Sequence, residues 1–172
     1  MRVMGIDPGI AITGIAFIDE VRGINSLAYC QAIETDSHQP TAKRLSFIYN
    51  QIKSLITKYN PVTAALESLF FNTNAKTALT VGQARGVIQL AIENESLPIS
   101  EYSPLEVKMA ITGYGRADKN QIQHMVKNIL KLQEILSPDD VADAAAIALT
   151  HCFSHKLRDF KKGILNSKMS SL

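Results

Sequence analysis

The chain has 172 residues, of which 46% are hydrophobic and 20% are charged, and its formal net charge is +2. This composition predicts a folded domain and argues against disorder, and no apolar run approaches the roughly 18 residues needed to span a bilayer. The two cysteines have no CxxC spacing and the N-terminus lacks the apolar core of a signal peptide, so we expect a cytoplasmic protein with no membrane contact.

Three extended segments open the chain. Val3–Asp7 is a short apolar run that stops at Pro8-Gly9, Ile10–Ile18 is rich in β-branched residues, and Gly23–Ile33 follows a turn around 19–23. Three such segments in series predict an antiparallel meander.

The hydrophobic period changes to that of a helix after Thr41, and this helix is expected to stop at Asn60-Pro61. Val62–Glu67 is again a short apolar strand, and like Val3–Asp7 it ends in a carboxylate. The remaining predicted elements are a helix from about Asn74 to Glu95, an extended segment at Pro98–Tyr102, a helix that begins at the capping box Ser103–Glu106 and breaks at Gly113–Gly115, a helix from Asp118 to about Gln133, and a helix from Ser137 to about His155.

The element order is therefore βββ-α-β-α-β-α-α-α, without internal repeats or linkers. Strand–helix alternation after a meander predicts an α/β protein with a mixed five-stranded sheet flanked by helices. This order resembles a ribonuclease H-like fold. We expect residues 1–155 to form this domain and residues 156–172, with a net charge of +4, to form a flexible tail that is either simply solvated or holds phosphates.

Four carboxylates are candidates for the chemistry. Asp7 and Glu67 end apolar strands, and the ligand crevice of an open α/β sheet lies off such strand ends. Asp140 and Asp143 share one face of the last helix. Asp143, flanked by alanines, needs a partner for its charge, whereas Asp140 is either a ligand or an acid that stabilises the helix start.

A site of four carboxylates is made of hard oxygen donors, which suit Mg²⁺, with Mn²⁺ as the expected substitute. Two such ions can activate water and stabilise the leaving oxygen in phosphodiester hydrolysis. His151 and His155, four residues apart, are interpreted as helix-end histidines, and no strong zinc pattern is present.

Cations and aromatic residues lie in segments near the predicted site. Phe70-Phe71 follows Glu67 closely and is expected either to stack on bases or to belong to the core. Gly113–Arg116 is interpreted as a flexible loop with an aromatic ring and a cation. The candidate DNA-contacting residues are Phe70, Lys76, Arg85, Lys108, Arg116 and Lys119.

The chain resembles the RuvC family of Holliday junction resolvases over nearly its full length. The matching stretches are Gly5–Gly9, Ala65–Glu67, Phe70-Phe71, Gly82–Gly86, Glu101–Pro104, Val107-Lys108, Thr112-Gly113, Lys119, and Asp140 with Asp143. The segments GQARG, EYxP and DxxD, in this order and at these distances, are together highly specific.

The resemblance implies a Mg²⁺-dependent homodimer that makes two symmetric nicks in a four-way junction, in recombination and repair, in cooperation with the RuvA–RuvB branch-migration complex. It implies that Asp7, Glu67, Asp140 and Asp143 form the acidic site. Phe70 falls on the family's junction-contacting aromatic, and Lys108 and Lys119 fall on its basic residues.

The chain departs from the family after Asp-Pro-Gly, where it has Ile10-Ala11 in place of a small polar residue and an arginine. This difference puts one phosphate contact in doubt. Two other classes remain open from the residues alone. One is a catalytically silent module that binds branched DNA, which the four intact acids disfavour. The other is an actin-like nucleotide-binding domain, whose usual second half is missing at this length.

Gly82 and Gly86 lie on one face of the predicted helix 74–95, and Ala78 extends that face. Interior glycines destabilise a helix by roughly 1 kcal/mol each relative to alanine, so a close approach of another backbone is expected there. The partner is either a second copy of the chain or another element of the same chain.

Overall fold

The computed structural model describes residues 1–68 and 75–169, with side chains at 1–68 and 78–155. The described elements follow the predicted order. They are strands β1 (Arg2–Asp7), β2 (Ile12–Val21) and β3 (Ile24–Glu34), helix α1 (Thr41–Tyr59), strand β4 (Thr63–Glu67), helix α2 (Ala75–Asn94), strand β5 (Ile99–Tyr102), and helices α3 (Pro104–Thr112), α4 (Lys119–Ile129) and α5 (Asp139–Met169).

The five strands form one mixed sheet in the order β3-β2-β1-β4-β5. Strand β1 pairs antiparallel with β2 and parallel with β4, and β4 pairs parallel with β5. The predicted mixed five-stranded sheet is thus confirmed. Because Ile6 is opposite Leu66 in the parallel pair, the last residues of β1 and β4 come side by side at one edge.

Helices cover both faces of the sheet, because the central strands are apolar on both sides. One core contains Met4, Ile6 and Leu66 and packs against α1 and α2. The other contains Val3 and Ala65 and packs against α3, α4 and α5. The result is a three-layer arrangement with the central strands buried between the helices.

Helix α5 lies unusually close to the sheet. A Cβ atom built at Gly14 would collide with the backbone carbonyl of Asp140, and one built at Gly5 would meet the carbonyl of Ala144 and lie 2.8 Å from the Cβ of Ala148. The alanine-rich face of α5 makes this approach possible. The approach fixes the position of the helix start relative to β1 and β2.

Several element boundaries differ from the prediction. The turn expected to begin at Asp19 begins at Arg22, since Asp19 stays in β2 and pairs with Arg2 of β1. Arg22 and Gly23 both have positive φ, as a two-residue hairpin turn requires. Helix α4 ends at Ile129 rather than near Gln133, because Lys131 takes the left-handed conformation usually filled by glycine.

Helix α5 continues to Met169, past the end predicted near His155. The division into a domain at 1–155 and a basic tail at 156–172 stays a prediction. Among the helices that the structure describes, none combines the length and apolarity required to cross a bilayer.

Candidate active site

A cleft of about 220 Å³ opens at the carboxyl ends of β1 and β4. Asp7 and Glu67 come from those strand ends, and Asp143 comes from the second turn of α5. Lys108 of α3 and Lys119 of α4 complete the charged lining. Three of the four predicted acids and two of the predicted cations therefore meet in one cleft.

Asp7 lies deepest among the acids. Its pKa is raised to about 7, mainly by burial and further by repulsion from Asp143, Glu67 and Asp140, whereas Lys119 acts in the opposite direction. The carboxylates are therefore close enough for each charge to disfavour the next.

The pKa values of Glu67 and Asp143 are also raised. Burial, followed by repulsion from Asp143, raises the pKa of Glu67 against the opposing charges of Arg85 and Lys108. Burial also raises the pKa of Asp143, and its hydrogen bond with Lys119 counteracts part of that shift. The described lysines only partly compensate the negative charge of the cleft.

Lys119 is the partner that the sequence indicated Asp143 must have. Its Nζ lies 3.1 Å from Asp143 and 3.2 Å from Asp139. Asp118 and Gln121 form a capping box that fixes the start of α4, and Lys119 is the first residue of that helix. Although burial lowers it, the pKa of Lys119 is raised overall by its bonds to Asp143 and Asp139.

Asp140 stands beside this cleft rather than in it. It lines a neighbouring open cavity together with Gly9, Ile10 and Thr80, among others. Its charge still acts on Asp7 and Asp143. The structure therefore leaves both interpretations of Asp140, as a ligand and as a helix-start acid, in place.

The donor set fits a divalent cation in its chemistry. Within the residues that the structure describes, no three His, Cys, Asp or Glu side chains lie close enough together to hold one ion as they stand. Burial first, and then repulsion among the carboxylates, raises the pKa of Asp7 to about 7. A hard cation bound among them would relieve that repulsion.

The predicted DNA-contacting residues separate into three groups. Lys108 and Lys119 face the cleft, and Arg116 is exposed in the loop before α4. Phe70 and the side chain of Lys76 lie outside the described residues. Arg85 is only 8% exposed and forms an ion pair within the protein.

His151 lies within α5 and not at a helix end, because α5 continues well beyond it. It is buried, and its Nδ1 lies 2.9 Å from the hydroxyl of Tyr102 at the end of β5. This contact joins α5 to the sheet close to the site. It is a structural role that the spacing of the two histidines did not indicate.

Sequence reasoning missed the internal role of Arg85. A signal was present, since Arg85 is three and seven residues before Ile88 and Ile92, which are fully buried on the same face of α2. An arginine on an apolar helix face usually has buried partners.

The fold and the acidic cleft together define a ribonuclease H-like nuclease. A family model described as "Crossover junction endodeoxyribonuclease RuvC" matches residues 3–151. A relative of that name from Finegoldia magna is 51% identical over 159 residues, which cover 92% of this chain and 96% of the relative.

Two solved structures support the same assignment. Thermus thermophilus RuvC is 34% identical, with a TM-score of 0.85 and coverage of 91% of this chain and 96% of that one. The same protein in complex with a Holliday junction substrate is 33% identical, with a TM-score of 0.87 and the same coverage. The chain belongs to the RuvC family of crossover junction endodeoxyribonucleases, divalent-metal-dependent enzymes of recombination and repair.

Proposed function

We propose that the chain resolves four-way DNA junctions by paired symmetric nicks, with Asp7, Glu67, Asp143 and Asp140 holding divalent ions at the scissile phosphate. The observation that carries this proposal is the cleft in which two strand-end acids, one helix acid and two lysines converge. Family membership sets aside both the actin-like domain and the silent DNA-binding module.

Mg²⁺ is the proposed ion and Mn²⁺ the expected substitute, because the candidate ligands are all carboxylate oxygens. When bound, the ions would activate the attacking water and stabilise the leaving oxygen. Asp7 and Glu67 would orient them from the strand ends, and Asp143 from α5. Asp140, in the adjoining cavity, is proposed as an outer member of this set.

The cations of the cleft are proposed to hold the DNA backbone. Lys108 faces the cleft and forms no ion pair with an acid among the described side chains, so its ammonium is available for a phosphate. Lys119 keeps Asp143 in place and would exchange that contact for a phosphate when DNA enters. Arg116, exposed nearby, is a further proposed backbone contact. The proposed roles of Phe70 and Lys76 rest on the sequence alone.

A homodimer is proposed because two symmetric nicks require two sites related by a two-fold axis. The structure supports the α2 face as the interface. A Cβ built at Gly82 or Gly86 meets no described atom within 4 Å, so the described residues do not supply the intramolecular partner. Leu79 and Leu90 on the same helix are 66% and 54% exposed. Cooperation with RuvA and RuvB and a cytoplasmic location remain predictions from the sequence.

The test is a nicking assay on a synthetic four-way junction and a linear duplex of the same sequence, with Mg²⁺ or Mn²⁺. We expect the junction to be cut in preference to the duplex. Asp7→Asn, Glu67→Gln and Asp143→Asn should each lower the nicking rate by at least about a thousandfold while retaining junction binding, since lysines and arginines hold the phosphates.

Asp19→Asn is the matched control. It removes the same charge in β2, where Asp19 pairs with Arg2 at the end of β1 that lies opposite the cleft. It should nick at close to the wild-type rate. Near wild-type nicking by any of the three site variants would remove that residue from the proposed site, and equal cutting of duplex and junction would contradict the substrate.

A further inference from the structure

Arg85 is the most deeply buried arginine among the described side chains. It lies in α2 between Gly82 and Gly86, yet it is only 8% exposed, whereas those glycines face open space. Its guanidinium group is directed toward the sheet, where it contacts Glu67 and Glu101.

The guanidinium group of Arg85 binds two strand ends at once. It donates to the backbone carbonyl of Glu67, the last residue of β4. It also forms an ion pair of 2.6 Å with Oε1 of Glu101 in β5. Gln89, one turn further along α2, donates to the same carboxylate oxygen at 2.9 Å. Helix α2 is thereby joined to both parallel strands next to the cleft.

The carbonyl of Glu67 is located where the described β4 strand ends. The direction of the Glu67 carboxylate depends on its backbone, and this backbone is held by Arg85 from one side and by the pairing with Tyr102 from the other. Displacement of a reacting group by about 1 Å can lower a rate by about a hundredfold. A planar guanidinium with several fixed donors suits this double contact better than an ammonium.

We infer that Arg85 is a positioning residue for Glu67, which orients this acid through its backbone, and that it is not a contact to DNA phosphate. The inference rests on the proposed function, since it takes Glu67 to hold a divalent ion. A partner that orients a metal ligand typically changes metal affinity by about 10- to 100-fold. The loss of Arg85 therefore weakens ion binding without weakening junction binding.

Substitutions at Glu101, the ion-pair partner of Arg85, distinguish a DNA-contacting role of Arg85 from a role in positioning Glu67. If Arg85 acted on DNA, removing its charge would weaken junction binding, and removing the negative charge of Glu101 would strengthen it. If Arg85 positions Glu67, Arg85→Ala and Glu101→Gln weaken ion binding in the same direction and leave junction binding alone. The double variant Arg85→Ala/Glu101→Ala is then no worse than Arg85→Ala, because both residues belong to one network.

The experiment measures three quantities on the full chain. These are Mn²⁺ binding without DNA by electron paramagnetic resonance of the free ion, junction affinity and its salt dependence in EDTA, and the nicking rate against Mg²⁺ concentration. Lys53→Ala is the control, because it removes the cation of a different ion pair, which joins α1 to Glu95 just after the end of α2.

We expect Arg85→Ala to raise the Mn²⁺ dissociation constant and the Mg²⁺ concentration for half-maximal nicking by about tenfold or more. Arg85→Lys should recover only part of this, and Glu101→Gln should give a smaller shift in the same direction. Junction affinity should remain within about twofold in every variant, and Lys53→Ala should match the wild type. If Arg85→Ala unfolds, Arg85→Lys and Glu101→Gln carry the test.

Two results would overturn the inference. One is unchanged Mn²⁺ binding and Mg²⁺ dependence in the Arg85 and Glu101 variants. The other is a weaker junction affinity in Arg85→Ala, with a salt slope reduced by about one unit, as for a lost phosphate contact. An inactive wild-type chain would instead contradict the proposed function. The difference in Mn²⁺ binding between the wild type and Arg85→Ala would still test the role of Arg85.

Discussion

Asp7 combines deep burial with three neighbouring acids, and its pKa of about 7 means that its carboxyl group changes charge near neutral pH. Between pH 3.8 and about 7 the folded chain keeps a proton on Asp7 that the unfolded chain has already released. Raising the pH through this window therefore lowers the free energy of unfolding in the absence of a divalent ion.

We predict that Asp7→Asn flattens this pH dependence and raises the melting temperature of the metal-free chain at about pH 8, with little change at about pH 5. Millimolar Mg²⁺ should stabilise the wild type at the higher pH, because the ion binds the folded state, and should stabilise the variant much less. Thermal unfolding followed by circular dichroism measures both effects. An equal loss of stability with pH in the variant would assign the effect to other groups.

At this scale the sequence predicts types of residue better than their partners. The strand-end positions of Asp7 and Glu67 follow from short apolar runs that stop at a carboxylate. The need of Asp143 for a partner followed from its alanine-rich surroundings. The identity of that partner did not, because Lys119 lies 24 positions earlier and reaches Asp143 only through the packing of α4 on α5.

The contact between α5 and the sheet is the element-scale feature on which the site depends. Because a Cβ at Gly14 would collide with the carbonyl of Asp140, Gly14→Ala must move the first turn of α5 away from β2. We predict a loss of about 1–3 kcal/mol in stability and a fall of about a hundredfold in nicking rate, because Asp140 and Asp143 move with the helix.

Gly82→Ala is the matched control for this change. It adds the same methyl group where no described atom lies within 4 Å, and alanine favours a helix by up to about 1 kcal/mol over glycine. Chemical denaturation should therefore separate the two variants, and single-turnover nicking compares Gly14→Ala with the wild type, since Gly82 belongs to the proposed dimer face. A Gly14→Ala chain with wild-type stability and rate would show that α5 is not held at this distance in solution.

The element order and the sheet type could be predicted from hydrophobic period and from glycine and proline signals. The ends of helices were less predictable where another residue takes the place of the glycine that usually ends a helix. Lys131 ends α4 in a conformation that usually requires glycine. No signal in the sequence near His155 indicated that α5 continues to Met169. The strand order needed the long-range pairing of β1 with β4, which has no local signal.

For the molecule as a whole, the open face of α2 leads to a prediction about assembly. Gly82→Leu and Gly86→Leu should leave the folded monomer intact, since the added atoms meet open space, and should shift the chain from dimer to monomer. The two nicks should then become uncoupled, so that singly nicked junctions accumulate.

Sedimentation at micromolar concentration, with and without junction DNA, measures the assembly, and a time course on denaturing gels measures the coupling. Val62→Leu is the control, because Val62 is also an exposed hydrophobic residue, at 57%, but lies outside α2, directly before the start of β4. A wild-type chain that stays monomeric both free and on the junction would rule out this dimer.

The position of α5 also affects which parts of the site unfold together when the protein opens locally. Residues 141, 142 and 144–152 of this helix are all buried against the sheet or the neighbouring helices, so we expect their amide hydrogens to exchange with solvent only when the whole domain unfolds. Helix α4, which carries Lys119, packs on α3 and α5, and we expect it to open at a lower free energy than α5. The acids therefore belong to the most protected unit of the protein and their lysine to a less protected one, so the cation can withdraw from Asp143 while the carboxylates stay in place.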